Sequence, residues 1–384
     1  MAEIYSDVII IGGGCSGLSL GYYYAKNNIG HKKITILEER DEYSNDKSWC
    51  FWLENNSDFI HRDIINKTWK VWRFSNSKSI YKHQSSNFEY CFIPSEDFYN
   101  KTTEAIYKDK RQNVLLNESV KTIKFTETNS YVHTENHILK SKIVIDTRPI
   151  LKDEYMEAPV FQIFFGLEIE SESNLFNPEE AGLMEDLQSS RERISFLYIL
   201  PFSNNRALLE YTIFSNSLIK PEYLKDSLVN NLNSRNIGPY KILRSESGVL
   251  PMGLKVNACK SKDFYLRAGI ASGNLRTSTG YGFLRIQRWA QHVALNLSEN
   301  NSKDISAIRN YYYDNRKQQF FDSLLIKVLK NDMSLGENIF LNIGRKMSAD
   351  RFARFMSDTA QAYDYFSLAM SVPRLPFLKA LISR

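Results

Sequence analysis

Apolar residues along this chain follow three successive rhythms. In the N-terminal third they come as short Val/Ile-rich runs, the pattern of strands buried on both faces. The run Tyr5–Gly12 meets Gly12-Gly13-Gly14-Cys15-Ser16-Gly17. A helical stretch, Leu18–Asn27, follows, and ITILEER (34–40) is a second buried run ending in acids. Strand, helix and strand in that order predict a βαβ unit on a parallel sheet. From Trp69 to Tyr90 aromatic and polar residues alternate as in an antiparallel layer. Pro94–Lys108 reads as a helix with Ser95 as N-cap. SVKTIKF, SYVHT and KIVIDTRP then form a meander that returns to a buried strand at Lys142–Asp146.

Period-two alternation dominates the middle. VFQIFFGLEIE (160–170), ISFLYILPF (194–202) and RALLEYTIF (206–214) read as strands, the last two joined in a hairpin across Ser203-Asn204-Asn205. Pro221–Asn236 is a helix with proline in its first turn. YLRAGI (265–270) returns to a buried strand, and a Gly/Ser/Thr loop leads to a helix at Phe283–Leu297. From about 305 the spacing is helical to the end. This interleaving predicts discontinuous domains. Residues 1–70, 95–155 and 260–300 form a nucleotide-binding unit, 71–94 and 156–258 an inserted β-rich substrate unit, and 301–384 a helical C-terminal region.

Composition narrows the class. At ~150 residues per domain, 384 residues give two or three domains, and 43% hydrophobic with 24% charged residues is globular. Aromatics, 13% of the chain, suit a core or an apolar cavity. A net charge of +5 without a concentrated basic stripe argues against a nucleic-acid partner. Cysteines at 15, 50, 91 and 259 lack a C-x-x-C pair, which fits a reduced, cytoplasmic chain. His133 and His137 flank a turn, so no metal site is expected. No apolar run reaches the ~20 residues of a membrane span, and the N-terminus lacks a basic leader. Any membrane contact is therefore peripheral.

Gly12, Gly14 and Gly17 form G-x-G-x-x-G between a buried strand and a helix. The glycines allow a tight turn, close approach of a pyrophosphate, and close helix–strand packing. The helix N-terminus offers free N–H groups to the anion. Glu38 ends the second strand, where a carboxylate accepts ribose hydroxyls. FAD is favoured over NAD because the segments completing the site lie far downstream. Asp146 ends a strand that either passes beside the dinucleotide or caps a turn. Ser278-Thr279-Gly280-Tyr281-Gly282, between strand and helix, can offer backbone N–H groups to a flavin. In RALLEYTIF, alternation puts Leu208, Glu210, Thr212 and Phe214 on one face and Leu209, Tyr211 and Ile213 on the other. Glu210 is then either a carboxyl on an apolar face, raised toward its acid form, or a solvent-facing residue on an edge strand.

The segments SDVIIIGGGCSGLSL, DKSWCFW (46–52), VIDTRP, FFGLEIE, FNPEEAGLMED, LYILPFSNNRALLEYTIFS, SGVLPMG and LRTSTGYGFLRIQ together resemble the flavin-dependent lycopene cyclases, most nearly those of Bacteroidetes-type bacteria. Two places depart from the family pattern: Arg276-Thr277 stands where many relatives have His-Pro, and VIDTRP replaces a D-G-R segment. The resemblance implies a Rossmann-like FAD-binding domain of the glutathione-reductase/aromatic-hydroxylase kind, with an inserted antiparallel β-rich domain and a helical C-terminal region. It implies reduced FAD as cofactor, NAD(P)H as reductant, no net redox change, and lycopene as substrate. Glu210 falls on the family's acid, which protonates a ψ-end so that a β-ionone ring closes. Asp46, Lys47, Asp146, Thr279, Gly280, Tyr281 and Gly282 join Gly12, Gly14, Gly17 and Glu38 around the cofactor. Trp49, Phe51, Trp52, Tyr211 and Thr212 attend the substrate. The apolar tail Phe366–Ile382, carrying Arg374 and Lys379, either lies in the interface at the inner face of the cell membrane or packs on the core. The rival readings are a flavin-dependent prenyl-lipid reductase or monooxygenase, and a carotenoid- or flavin-binding protein without catalysis.

Overall fold

Val8–Ile11, Ile34–Leu37 and Ile143–Asp146 are buried along their whole lengths and lie side by side, as continuous apolar runs require. They belong to a computed structural model that describes residues 2–27, 30–150, 152–254, 264–298, 308, 311 and 316–382. Cys259 and most of 301–315, where the helical spacing begins, lie outside the described residues.

The chain starts with β1 (Ala2–Tyr5), β2 (Val8–Ile11), α1 (Cys15–Asn27), β3 (Ile34–Leu37) and β4 (Ser48–Glu54). Next come β5 (Lys67–Trp69), β6 (Val71–Ser75), β7 (Ile80–Gln84), β8 (Phe88–Pro94) and α2 (Ser95–Lys108). A run of short elements follows: β9 (Gln112–Leu115), β10 (Thr122–Phe125), β11 (Ser130–His133), β12 (His137–Ser141), β13 (Ile143–Asp146) and α3 (Lys152–Tyr155). The middle holds β14 (Val160–Ser171), β15 (Glu180–Ser189), β16 (Arg193–Pro201), β17 (Arg206–Ser215), α4 (Pro221–Ser234) and β18 (Tyr240–Met252). After β19 (Tyr265–Arg267) and α5 (Phe283–Ser298) come α6 (Arg316–Asn331), α7 (Gly336–Lys346), α8 (Ala349–Met356), α9 (Ala362–Ser371) and α10 (Arg374–Ile382).

A parallel sheet, ordered β19-β13-β2-β3-β9, holds the βαβ unit. A seven-stranded sheet, β18-β14-β17-β16-β15-β6-β7, is antiparallel except where β15 meets β6. Segment 71–94 divides between two sheets. β6 and β7 extend the large sheet, whereas β8 sits between β4 and β5 in a separate three-stranded one. Local alternation sees strands but not their partners, so the division is invisible to it.

The large sheet packs on both faces. Leu209 and Ile213 point toward α4, which buries Leu224, Leu228 and Leu232. Leu208 and Phe214 point the other way, into a core shared with Trp52, Trp69, Trp72 and the C-terminal helices through Ile339 and Phe352. A buried ion cluster ties those helices down. Arg276 and Asp322 are each 1% exposed and joined twice at 3.1 Å, while Ser278 donates to Asp322 at 2.7 Å. Asp358 also reaches Arg276 at 3.4 Å but is shared with Arg285 and Arg288, so removing Asp322 leaves the buried cluster short of a carboxylate, at a cost of about 3–5 kcal/mol. Asp322→Ala should therefore lower stability by that amount in urea unfolding. A loss below about 1 kcal/mol, the range of surface pairs, would contradict it.

Candidate active site

β2 runs into Gly12 with φ +98, a left-handed backbone in which a Cβ would also strike Thr147 Oγ1 at 2.6 Å. A Cβ on Gly17 would lie 2.0 Å from the Gly12 carbonyl oxygen, so α1 starts hard against the loop. Gly14 faces open space, with nothing within 4 Å of its missing Cβ. Glu38 accepts the Gly13 N–H at 2.7 Å and pairs with Arg40 at 2.9 Å. Burial opposes its ionisation, but Arg40 and the Gly13 N–H outweigh that and hold the carboxyl below its usual range. Arg40 also reaches Asp46 at 3.6 Å, and the Lys47 N–H donates to Ser95 Oγ at 3.0 Å, which places the loop before β4 beside this edge.

Asp146 has the turn-capping geometry. Its buried carboxylate accepts from the Arg148 N–H at 3.1 Å, the Arg148 guanidinium at 2.7 Å and the Tyr265 hydroxyl at 2.7 Å. Its neighbour Thr147 is the residue that reaches the glycine loop, donating to the Ile11 and Gly12 carbonyls. The 278–282 turn also differs from expectation. The Thr279 and Gly280 N–H groups close onto the Arg276 carbonyl instead of pointing outward.

Glu210 sits in β17, an interior strand between β14 and β16, and is 8% exposed. The edge-strand alternative is therefore excluded. Across β14, Gly166 is register partner to Glu210 on one side and Glu246 of β18 on the other. The Glu210 side chain lies over Gly166, where a Cβ would sit 2.7 Å from its Cγ, so the two carboxyls face each other across that glycine. Glu246 also accepts from Arg244 at 2.6 Å and Ser48 at 2.8 Å, and Arg244 reaches Glu168 at 2.6 Å. Burial first, and then Glu246, push the Glu210 carboxyl well above the usual carboxylate range. Burial pushes Glu246 the same way, but the neighbouring Glu210 carboxyl, the Arg244 guanidinium and the Ser48 hydroxyl outweigh it and hold Glu246 low.

Both glutamates line an apolar cavity of about 570 Å³. Ser48, Trp49, Trp52, Thr212, Thr279, Gly280, Tyr281 and Gly282 also line it. Tyr198 and Tyr281 reach it at the ends of a hydroxyl chain through Tyr90, with O···O distances of 2.5 and 2.7 Å. Two residues expected here are elsewhere. Phe51 faces away along β4 and stacks on Phe283 at 5.1 Å. Tyr211 lies on the opposite face of the sheet from Glu210, against the α4 layer. The cavity runs out toward the C-terminal helices, where Phe320, Leu378 and Leu381 both line it and are about half exposed. Nearby Phe366, Leu375 and Ile382 are 68%, 72% and 83% exposed. Among the described residues no helix is long and apolar enough to cross a membrane.

A family model described as lycopene cyclase protein matches residues 7–382. The chain belongs to the lycopene cyclase family. It is similar to the chloroplastic lycopene beta cyclase of Solanum lycopersicum, 21% identical over 318 residues, covering 75% of this chain and 59% of that protein. The Narcissus pseudonarcissus lycopene beta cyclase is 25% identical over 191 residues, covering 46% of this chain and 38% of that one. The chain thus spans less than two thirds of the length of these curated relatives. In three dimensions it is similar to p-nitrophenol 4-monooxygenase PnpA from Pseudomonas putida (TM-score 0.61, 13% identity, 98% and 100% of the two chains). A geranylgeranyl bacteriochlorophyll reductase-like protein from Thermoplasma acidophilum gives a TM-score of 0.59 at 16% identity, over 99% and 96% of the two chains. The halogenase PltM, solved in complex with FAD, gives 0.54 at 12% identity, over 97% and 87%. These likenesses show the fold this chain shares with those proteins: a mixed α/β architecture with a parallel sheet, a large antiparallel sheet and a helical C-terminus.

Proposed function

We propose that this chain is a lycopene β-cyclase with Glu210 as its general acid. The observation carrying this reading is a carboxyl pushed toward its acid form at the wall of an apolar cavity, in a chain of the lycopene cyclase family. Glu210 gives its proton to the terminal double bond of a ψ-end, leaving a tertiary cation at C1. The C5=C6 bond attacks that cation, and loss of the C6 proton leaves the β-ionone ring. One proton enters and one leaves, so the hydrocarbon is isomerised without oxidation. The faces of Trp52, Tyr198 and Tyr281 offer cation–π stabilisation along the path.

The nucleotide half fits FAD. Gly14 leaves the loop face open, and Glu38 is poised at the end of β3. The buried Asn274 amide, in the loop between Gly269 and Gly282, has neither polar atom hydrogen-bonded among the described residues. Gly12, Gly14, Gly17, Glu38 and Asn274 would hold the dinucleotide, with Thr279, Gly280, Tyr281 and Gly282 at the cavity end. Bound and reduced at the expense of NAD(P)H, the flavin would supply electron density beside the cation without being consumed.

A C40 hydrocarbon dissolves in lipid, so the half-exposed apolar rim of α10 would rest on the membrane surface. Each leucine-sized side chain taken from water contributes about 1.5–3 kcal/mol. Leu375→Glu combined with Ile382→Glu should therefore weaken liposome co-sedimentation by about a hundredfold or more. Unchanged partitioning would place the lipid contact elsewhere. The activity itself is tested by expression in lycopene-accumulating cells, where ring-bearing carotenes should replace the red pigment. Persistent lycopene would count against the cyclase reading.

A further inference from the structure

We propose that Glu246 is the positioning residue that keeps Glu210 an acid, the two carboxyls sharing a single proton above Gly166. The proposal rests on the cyclase reading for its chemistry, but its geometry stands alone. Neighbouring strands lie about 4.8 Å apart, so residues on the two strands flanking β14 are about twice that apart. Their side chains can meet only if the residue between them has none. That residue is Gly166, and a Cβ there would lie 2.7 Å from Glu210 Cγ.

The charges around the pair reach the same assignment by counting. Arg206 donates to Glu168 at 2.7 Å, and Arg244 bridges Glu168 and Glu246 at 2.6 Å each. Two cations thus balance two carboxylates, and the third carboxyl, Glu210, has no cation of its own. A buried carboxyl in that position keeps its proton. The other titratable groups facing it are Cys50 of β4, Tyr198 of β16 and Tyr281, and burial pushes all three upward, so they stay neutral. Environments that drive two adjacent carboxyls apart define an acid and its anionic partner. The proton passes from Glu210 to the alkene carbon, and the proton lost by the ring carbon returns to the pair. The pair therefore carries one proton before and after each closure.

Infrared difference titration of the substrate-free protein reads the shared proton directly. The wild type should show a carboxylic-acid carbonyl band that persists above the ordinary carboxylate range. Glu246→Gln removes the neighbouring negative charge and frees Arg244. The band's midpoint, and the alkaline limb of the cyclisation pH profile, should move down by about one pH unit or more. Turnover should fall at least tenfold at neutral pH. Gly166→Ala keeps every charge but wedges the pair apart, and should shift both readouts the same way. Absence of the band in wild type, or unshifted midpoints in a folded variant, would overturn the proposal. Failure of the wild type to convert lycopene would instead sink the cyclase reading and leave the infrared result standing.

Discussion

Glu210→Gln should cut lycopene cyclisation by about 10²–10⁴-fold, the range for loss of a general acid, while leaving flavin binding and folding intact. The amide matches the carboxyl in shape and carries no charge, so the apolar cavity accepts it. Glu246 cannot take over, because Arg244 and Ser48 hold it as the ionised partner. The pH dependence follows from the raised Glu210 carboxyl. Turnover should be full while the acid is protonated and fall as pH rises through the raised value. Stability follows the same direction. A carboxyl raised above its unfolded value of about 4.3 contributes stability that is complete below that pH and lost as pH climbs through the folded value. Glu210→Gln removes this loss, so its melting temperature should gain on wild type toward alkaline pH. Turnover within tenfold of wild type would remove Glu210 from the acid role.

Gly17→Ala should abolish flavin retention and also destabilise the protein. Its new methyl would sit 2.0 Å from the Gly12 carbonyl oxygen, a backbone atom that cannot yield without moving β2 from α1. Overpacking of this kind costs about 1–3 kcal/mol or more. Gly14→Ala supplies the contrast. Nothing lies within 4 Å of its added carbon, so the fold should be unaffected. On the proposed FAD site, flavin retention should nevertheless fall, since the methyl would occupy the open face assigned to the pyrophosphate. Urea midpoints and flavin absorbance of the purified proteins separate the two effects. Full retention of FAD by Gly14→Ala would show that the dinucleotide lies elsewhere.

The parts legible in the sequence were those encoded locally. β2, the glycine loop, α1 and β3 are contiguous, and their buried runs read directly from composition and order. Alternation in RALLEYTIF likewise assigned Glu210 and Tyr211 to opposite faces, and the sheet keeps that assignment. Placing Tyr211 with the substrate ran against that alternation. Phe51 was misplaced for a related reason. Ser48, Cys50 and Trp52 share the face of β4 that meets the cavity, Trp49 reaches it from the strand's start, and Phe51, two residues further on, stacks behind Phe283 instead. Glu246 was missed because YKILRSESGVLPM is polar enough to pass for a surface strand. Its burial comes from pairing with β14, a long-range event. The usable signal was the glycine inside FFGLEIE, since a glycine within a strand marks close approach by something else.

Purified wild type, reduced FAD and lycopene in liposomes under anaerobic conditions would test the central claim most directly, with cyclic product and NAD(P)H oxidation counted together. An acid-initiated cyclase should form many rings per NAD(P)H consumed, with full conversion dependent on Glu210. Stoichiometric consumption of NAD(P)H, with a reduced or oxygenated product and no ring, would contradict it.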